Sequence, residues 1–420
     1  MTTSVQQPVY APQDTMYLWW LANPQVPVLI GELRLADRNQ RVSLRYDQAW
    51  LANGFALSED LPLNDSEHLP SDKHRAAGAV DDARPDRWGE RIIQLIDRPS
   101  RLSLLEYLYF AGDQRTGALG VSLSSQTYLP RPNGPLPKFA SLEDMAEVVR
   151  KISANEIVPE HQRRLLRPGA SLGGARPKSL IDLDGEIWIV KFAEGDGVDS
   201  PLIEHATMQM ARLCGIRTAD TQALVLSRHS NSQGHAVAVR RFDRQGSRRL
   251  HVLSAYVALQ AAGEEMGYPE LAQLIRRLGE PHRIAEQQQE LFRRMVFNIL
   301  IDNTDDHEKN HALIQLGNGT HGSNGRYELS PAYDVLPTLQ GLRYQQMRVG
   351  KQGAEATVTN ALSECQQFGL NMHLAKSIVQ EVSDVVSQWR QHFAAAGVTP
   401  ETLDLIGRFV DGEFFRGQRF

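Results

Sequence analysis

A proline-rich stretch at residues 126–138, QTYLPRPNGPLPK, constrains the fold of this chain more than any other segment. It holds four prolines and a glycine, and each proline fixes φ and removes a backbone N–H donor. Such a stretch fits neither a helix interior nor a central strand. We therefore interpret it as a domain boundary that closes a small α+β unit over residues 1–138.

Strand and helix patterns are distributed unevenly along the rest of the chain. Short runs of aliphatic, aromatic and β-branched residues predict strands at 16–22, 26–35, 41–46, 180–183, 187–192, 221–226 and 236–242. Helical spacing occurs at 87–96, 101–110, about 142–152 and from Ser200-Pro201 to Gly215. From residue 250 onward the spacing predicts almost only helices. The result is a two-lobed α+β protein with a strand-rich N-terminal half, a β-rich region at 139–248 and an all-helical C-terminal lobe at 249–420.

Composition excludes several classes of protein. The two cysteines, Cys214 and Cys365, are too far apart in sequence for a CxxC site and too few for a disulfide framework. No run of about 18 apolar residues predicts a membrane span, and the N-terminus carries no signal-peptide pattern, so we expect a cytoplasmic protein. A net charge of −5 argues against a nucleic-acid-binding surface over the whole molecule.

Two short patterns suggest other chemistries. Residues 169–173 match the G-x-S-x-G nucleophile elbow, but the polar, proline-ended HQRRLLRP precedes them where an apolar strand is required. Residues 307–311, HEKNH, match the zinc-protease pattern, whose two histidines must share one helix face. The preceding Asn, Asp and Thr residues favour caps and turns, and Ile314 and Gly317 stand where the longer zinc pattern needs Gly and His. A zinc hydrolase remains an alternative.

A third interpretation uses parts of the same segments for phosphoryl transfer. Residues 171–175 supply a Gly-rich turn, which is not a Walker A loop because Ala175 stands where lysine is required. Lys191 lies in the apolar strand IWIVKF, so it needs an anionic partner or a route to solvent. Glu204 on the following helix is a candidate partner for it. Taken singly, the loop also fits a surface turn, and Lys191 fits the open face of an edge strand.

Two acidic segments complete this set. Asp305 and Asn310 reproduce the spacing of a protein-kinase catalytic loop, in which the aspartate accepts the hydroxyl proton and the asparagine binds Mg²⁺. Asp334, in SPAYDVL, fits a second oxygen ligand for the metal, although a turn or cap residue is the simpler alternative. Gly-rich loop, strand lysine, helix glutamate, Asp…Asn loop and metal aspartate follow each other in the order of the kinase template.

At these residues the chain resembles the HipA-like serine/threonine kinases, the toxins of bacterial type II toxin–antitoxin modules. The resemblance is carried by SLGGARPKSL, WIVKF, EHATMQMARLCGI, VRRFDR, NILIDNTDDHEKNHALI and LSPAYDVLPT, with DDARPDRWG and RTGALGV in the N-terminal unit. It implies a kinase-like fold and an ATP- and Mg²⁺-dependent protein kinase.

The resemblance also implies a role for each matching residue. Asp305 corresponds to the catalytic base, and Asn310 and Asp334 to the Mg²⁺ ligands. The ATP-binding set comprises Lys191, Ser171, Gly173, Gly174, Lys178, Glu204, Arg240 and Phe242. In that set the main chain from Arg240 to Phe242 meets the adenine, and Arg240 stands where relatives have an acidic residue. Ser171 matches a serine that the family autophosphorylates, and a phosphate there adds negative charge that repels the γ-phosphate.

Partners are likewise implied by the resemblance alone. It implies a protein substrate of the translation machinery, such as an aminoacyl-tRNA synthetase. It also implies a small helix-turn-helix antitoxin, with DNA bound only through that complex. Arginine pairs at 163–164, 240–241 and 248–249 fit contacts with DNA phosphates, but such pairs are more often solvated faces. A non-catalytic, kinase-like corepressor of such an antitoxin is the competing hypothesis.

Overall fold

The N-terminal third of the chain is built on one sheet that is antiparallel except for the parallel pair of β3 and β5. The structure is a computed structural model that describes residues 10–38, 40–169, 176–195, 197–226, 234–317 and 326–419. The strands are β1 (Thr15–Trp20), β2 (Val28–Ala36), β3 (Arg41–Tyr46), β4 (Glu67–His68), β5 (Arg75–Ala76) and β6 (Leu119–Ser122). Their order is β4-β3-β2-β1-β6, and β5 pairs with β3. Helices α1 (Gln48–Asn53), α2 (Arg87–Ile92) and α3 (Leu104–Phe110) complete this part.

The middle third forms a four-stranded antiparallel sheet covered by helices. Its elements are α4 (Leu142–Ser153), β7 (Lys178–Leu183), β8 (Glu186–Phe192), α5 (Ser200–Leu213), β9 (Thr221–Leu226) and β10 (Gly234–Arg240), with strand order β7-β8-β10-β9. The β7–β8 turn has positive φ at Asp184 and Gly185, residues that favour this backbone. Alternating residues face two cores: Leu180 and Ile189 pack toward α5, and Ile181 and Val190 pack toward α4. Helix α5 begins at Ser200, where the helical spacing was expected to begin, and its N-cap is Asp199.

The final third is mostly helical, but the prediction of an all-helical C-terminal lobe was wrong. The short strands β13 (Val252–Ser254), β14 (Ala312–Leu316) and β15 (Arg326–Leu329) lie within residues 249–420 and form a sheet, and β11 (Arg244–Gln245) pairs with β12 (Arg248–Arg249) at the boundary before it. A Gly- and Asn-rich turn signal, GNGTHGSNG, separates the last two strands and was overlooked. The helices are α6 (Ala255–Ala262), α7 (Tyr268–Leu278), α8 (Ile284–Leu300), α9 (Val358–Ser363), α10 (Met372–Val386), α11 (Trp389–Ala395), α12 (Pro400–Val410) and α13 (Glu413–Arg416).

The fold is α+β, as predicted, and one large apolar core links its first and last thirds. Residues 126–137 form neither helix nor strand, as their prolines predicted. The predicted domain limits at 138 and 248 stay predictions. No helix in the described ranges is both long and apolar enough to cross a membrane.

Candidate active site

A buried lysine joins two carboxylates from distant parts of the chain. Lys191 lies near the end of β8, and its Nζ is 2.6 Å from Oε1 of Glu204 on α5. The same Nζ is 2.6 Å from Oδ1 of Asp334, which follows β15. All three residues are at most 9% exposed. The predicted partnership of Lys191 with Glu204 therefore forms, and Asp334 adds a third member that the strand and helix patterns alone did not predict.

Burial and pairing act in opposite directions on the pKa values of this cluster. Burial alone would lower the pKa of Lys191, but the two carboxylates outweigh it and raise that pKa. Burial raises the pKa of Glu204 more than Lys191 lowers it. At Asp334 the balance reverses, because Lys191, Lys178 and Arg176 outweigh burial and hold the pKa well below its usual range. Asp334 is thus the firmly ionised carboxylate of the pair, which suits a phosphate-associated cation.

A second lysine stands directly opposite the first across the β7–β8 pair. Lys178 pairs in register with Lys191, so both side chains share one face of the sheet. Like charges in that position repel unless each is compensated. The Nζ of Lys178 is 2.5 Å from Oδ2 of Asp86, the residue that caps α2 in the N-terminal third. Asp86 lies in the DDARPDRWG segment, and its pairing with Lys178 was not predicted.

The predicted catalytic loop forms a tight turn. Asp305 is exposed, and partial burial of its carboxylate together with nearby Asp334 raises its pKa, although His307 opposes the shift. Asn310 is 4% exposed, and its Nδ2 donates to the main-chain oxygen of Asp305 over 3.3 Å. Within the described part of the chain, Asn310 Oδ1 is a buried oxygen with no hydrogen-bond partner. Such an unmet oxygen is available to a ligand.

A buried hydrogen-bond network attaches this loop to helices α7 and α8. Asp306 accepts hydrogen bonds from the hydroxyl of Tyr268 and, through the same Oδ2, from Nε2 of His311 at 2.8 Å. Burial would raise the pKa of Asp306, but His311 and Tyr268 outweigh it and lower that pKa. Asn298 extends the network to Tyr268 over 3.4 Å. Sequence reasoning missed these contacts, because they join residues of α7 and α8 to the loop only once the helices have packed.

Asp334 is held in place by an unusual backbone and by its neighbour. Its φ is +59°, in the left-handed region that non-glycine residues rarely adopt. The hydroxyl of Tyr333 donates to the main-chain oxygen of Lys309 over 2.7 Å, which ties the two acidic segments together. The Tyr333 ring also packs against Phe242, with centroids 5.4 Å apart. Asp334 is therefore held close to the candidate catalytic loop, and its role as a metal ligand stays a prediction.

The remaining predicted residues lie at the edge of this site or outside the described ranges. Phe242 is half-buried beside Tyr333, and the exposed side chain of Arg240 binds Glu186 over 2.5 Å. Ser171, Gly173 and Gly174 lie outside the described residues. A cleft of about 720 Å³ lies beside the loop, lined by Asp305, Tyr333 and Asp86 among others. The cleft joins the N-terminal third to the candidate catalytic loop.

The geometry does not favour zinc chemistry at HEKNH. Residues Glu308–Asn310 form a single 3₁₀ turn, so the helix that would align both histidines is not formed. His311 is instead buried against Asp306. No group of three or more His, Cys, Asp or Glu side chains within the described ranges is arranged to hold a metal ion. The Asn310 and Asp334 oxygens fit a hard cation such as Mg²⁺, which takes few protein ligands and completes its shell with water and phosphate.

Comparisons with known proteins agree with this architecture. A family model for the HipA-like C-terminal domain matches residues 170–389, just over half of the chain, and a HipA N-terminal domain model matches 27–122. A putative kinase of Sinorhizobium fredii is 32% identical over 163 residues, which are 37% of this chain and 38% of that protein. The serine/threonine-protein kinase toxin HipA of Shewanella oneidensis is 22% identical over 360 residues, 74% of this chain and 73% of that toxin. The chain spans about half, or less, of the length of the curated putative kinases that it matches.

A solved structure extends the likeness to nearly the whole fold. It contains HipA of S. oneidensis with HipB and operator DNA, and covers 94% of this chain and 95% of its own with a TM-score of 0.64. At 18% identity this match shows a shared fold and no more. The two-lobed, kinase-like architecture expected from the sequence is confirmed.

Proposed function

This chain belongs to the HipA-like family, and on that premise we propose that it is an ATP- and Mg²⁺-dependent protein serine/threonine kinase. The observation that carries the proposal is the meeting of Lys191, Glu204 and Asp334 in one buried cluster beside the loop of Asp305 and Asn310. Phosphoryl transfer needs positioning and electrostatic stabilisation more than covalent chemistry, and these residues supply both.

Each residue has a distinct task in this proposal. Lys191 binds the ATP phosphates, whose oxygens compete with the two carboxylates for its three N–H donors. Glu204 keeps the ammonium group directed into the site. Asp305 accepts the proton of the substrate hydroxyl, and its raised pKa makes it a stronger base than an ordinary aspartate.

The Asn310 amide oxygen and the Asp334 carboxylate would hold Mg²⁺. A Mg²⁺ ion held there would neutralise charge that develops on the transferred phosphoryl group. The unpartnered Oδ1 of Asn310 supports this assignment, because a buried amide oxygen without a donor is costly unless a ligand uses it. The left-handed backbone at Asp334 is a second local strain of the kind found at functional sites.

The proposal extends to partners and substrate. We propose a small helix-turn-helix antitoxin as a partner, with DNA bound through that complex. Support comes from the similar fold of S. oneidensis HipA, which was solved with HipB and operator DNA. The substrate class we propose is a protein of the translation machinery, such as an aminoacyl-tRNA synthetase. Autophosphorylation of Ser171 belongs to the same proposal.

Radiolabelled ATP tests the central claim. Purified protein incubated with γ-labelled ATP and Mg²⁺ should incorporate phosphate, and mass spectrometry should place it on Ser171. Asp305→Ala should abolish incorporation while retaining the unfolding temperature, and the exposed control Asp65→Ala should leave incorporation unchanged. Incorporation at the wild-type rate in Asp305→Ala would refute the assigned base. A wild-type protein that binds ATP without any transfer would favour the non-catalytic corepressor instead.

A further inference from the structure

A large groove lies outside the candidate active site, between two segments that form no α-helix. It measures about 1140 Å³ and runs between the proline-rich residues 131–137 and residues 160–168. Its apolar lining includes Ile92, Ile96 and Leu165. Four arginines also line it: Arg131, Arg163, Arg164 and Arg167. The groove is therefore an apolar trough with an excess of positive charge.

Acidic side chains do not balance these arginines. Among the described residues that line the groove, the carboxylates are Asp97 and Glu160. Asp97 is already engaged, because its Oδ1 accepts a hydrogen bond from Arg131 Nη2 over 3.0 Å. Glu160 is exposed at the start of a 3₁₀ helix. Arg164 and Arg167 thus face the groove without a carboxylate bound to either in the described part of the chain.

Arg167 makes this excess unusual because it is buried. The residue is only 7% exposed, and its Nη2 donates to the main-chain oxygen of Pro135 over 2.5 Å. Its Nε has no hydrogen-bond partner in the described ranges. Burial and the neighbouring Arg164 lower the pKa of Arg167, and the nearby Asp97 opposes this shift without outweighing it. Because Asp97 is hydrogen-bonded to Arg131 and acts on Arg167 only through space, an anion that bonds the Arg167 guanidinium directly would compensate this buried charge better.

The backbone holds this guanidinium in a fixed position. The main-chain N–H of Arg167 donates to Oγ of Ser179 over 2.9 Å, which attaches the groove wall to strand β7. Pro135 holds the side chain from the opposite wall. A planar guanidinium that is fixed in this way can donate two parallel hydrogen bonds to a tetrahedral oxyanion. Fixing it in advance reduces the entropy that binding must cost.

We propose that this groove is an oxyanion site in which Arg164 and Arg167 bind a phosphate-type dianion. The ligand is either free phosphate or a phosphoryl group carried on a peptide, and both share the chemistry that the two arginines recognise. The apolar walls beside them accommodate a carrier chain. The proposal does not depend on kinase activity, because the site lies apart from Lys191, Asp305 and Asp334.

Binding of inorganic phosphate tests the site on the full-length protein. Thermal unfolding and ³¹P NMR line broadening are followed against phosphate, with sodium chloride at matched ionic strength as the reference. Wild-type protein should show a phosphate-specific rise in unfolding temperature and a saturable broadening. Arg164→Gln should weaken binding by about tenfold, as expected for loss of one charge-assisted hydrogen bond. The exposed control Arg408→Gln should bind like wild type.

Two further arms keep the result decisive. Arg167→Gln should abolish the effect, and if that variant does not fold, Arg164→Gln alone decides the outcome. A phosphoserine peptide that binds more tightly than inorganic phosphate identifies a carried phosphoryl group, and equal affinities identify free phosphate. A response to phosphate no larger than to chloride, or equal affinity in wild type and Arg164→Gln, would overturn the proposal. Neither outcome bears on phosphate transfer from ATP.

Discussion

The candidate active site has two halves, a cluster whose buried charges are paired and a loop whose buried oxygens lack partners. In the cluster of Lys191, Glu204 and Asp334, the buried ammonium is bound by two carboxylates. In the loop from Asp302 to Asn310, buried oxygens of both end residues lack a hydrogen-bond partner within the described chain. The first half has its charges paired in the ligand-free protein, whereas the second half is left with unpartnered oxygens. A ligand must therefore compete with carboxylates for Lys191, but it can supply the missing partners of the loop oxygens.

The strongest test of this contrast is removal of the lysine. Lys191→Met should lower the free energy of unfolding by about 3–5 kcal/mol, because it leaves two buried carboxylates without a cation. The loss should shrink as the pH falls toward 5, since protonated carboxyl groups need no positive partner. Urea denaturation at pH 8 and pH 5 measures both effects. The same variant should also lose ATP binding if Lys191 contacts the phosphates.

A matched control separates burial from charge. Lys151→Met removes a partly exposed lysine that lies 3.6 Å from Glu147 on α4, and it should cost less than about 1 kcal/mol. If Lys191→Met were equally mild, the buried cluster would not be a stabilising element, and the contrast between the two halves would fail.

Sequence reasoning predicted the paired half well for a physical reason. A charged residue inside the apolar run IWIVKF must find a partner, and the next helix supplied Glu204. The same logic did not extend to Lys178, whose partner Asp86 is 92 residues away in a different part of the fold. Pairing at that separation depends on how the N-terminal third packs, which no local pattern encodes. The sheet of β13, β14 and β15 was missed because its strands are short and flank mostly helical sequence.

The second test concerns an acid that anchors the incomplete loop. Asp302 has a φ of +58°. Burial raises its pKa to about 6, although the hydrogen bond from the Gly341 N–H lowers that pKa in part. The folded state therefore binds more protons than the unfolded state between about pH 4 and 6, and stability falls as the pH rises through that window. Asp302→Asn should flatten this dependence by about 1 kcal/mol after allowance for solvent screening. Asparagine also tolerates the left-handed backbone.

Denaturation midpoints at half-unit pH steps from 4 to 7 measure that slope. The exposed Asp384→Asn provides the reference, and it should leave the dependence unchanged. Burial also raises the pKa of Asp82 to about 6, so Asp82 contributes to the same pH dependence. The slope in Asp302→Asn should therefore be smaller than in wild type, but not zero. An identical slope in Asp302→Asn and wild type would show that Asp302 does not titrate with a raised pKa in the folded protein.

Part of the incomplete half was visible in the sequence and part was not. The spacing of Asp305 and Asn310 predicted that both residues lie in one loop, and the hydrogen bond from Asn310 to the Asp305 main chain agrees with it, while the catalytic role of that loop stays a prediction. The network of Asp306, His311 and Tyr268 beneath it was hidden, since buried polar contacts depend on helix packing. The motif HEKNH matches the zinc-protease pattern, but a five-residue match does not determine whether those residues form the helix that zinc binding requires. In the structure, Glu308–Asn310 form a 3₁₀ turn instead.

The smallest expected effect on stability is the most informative one. Asn310→Ala removes an unpartnered oxygen and one hydrogen bond of 3.3 Å, so unfolding should change by less than about 1 kcal/mol. Asn360→Ala is the matched control, because that buried amide donates to Gly353 and Glu355 and accepts from Gln352. It should cost more, about 2–3 kcal/mol, since three backbone groups lose their partner.

Asn310→Ala should instead raise the Mg²⁺ concentration needed for ATP binding, measured by calorimetry. A stability loss equal to that of Asn360→Ala, with unchanged Mg²⁺ dependence, would make Asn310 a structural residue and remove the second half of the contrast.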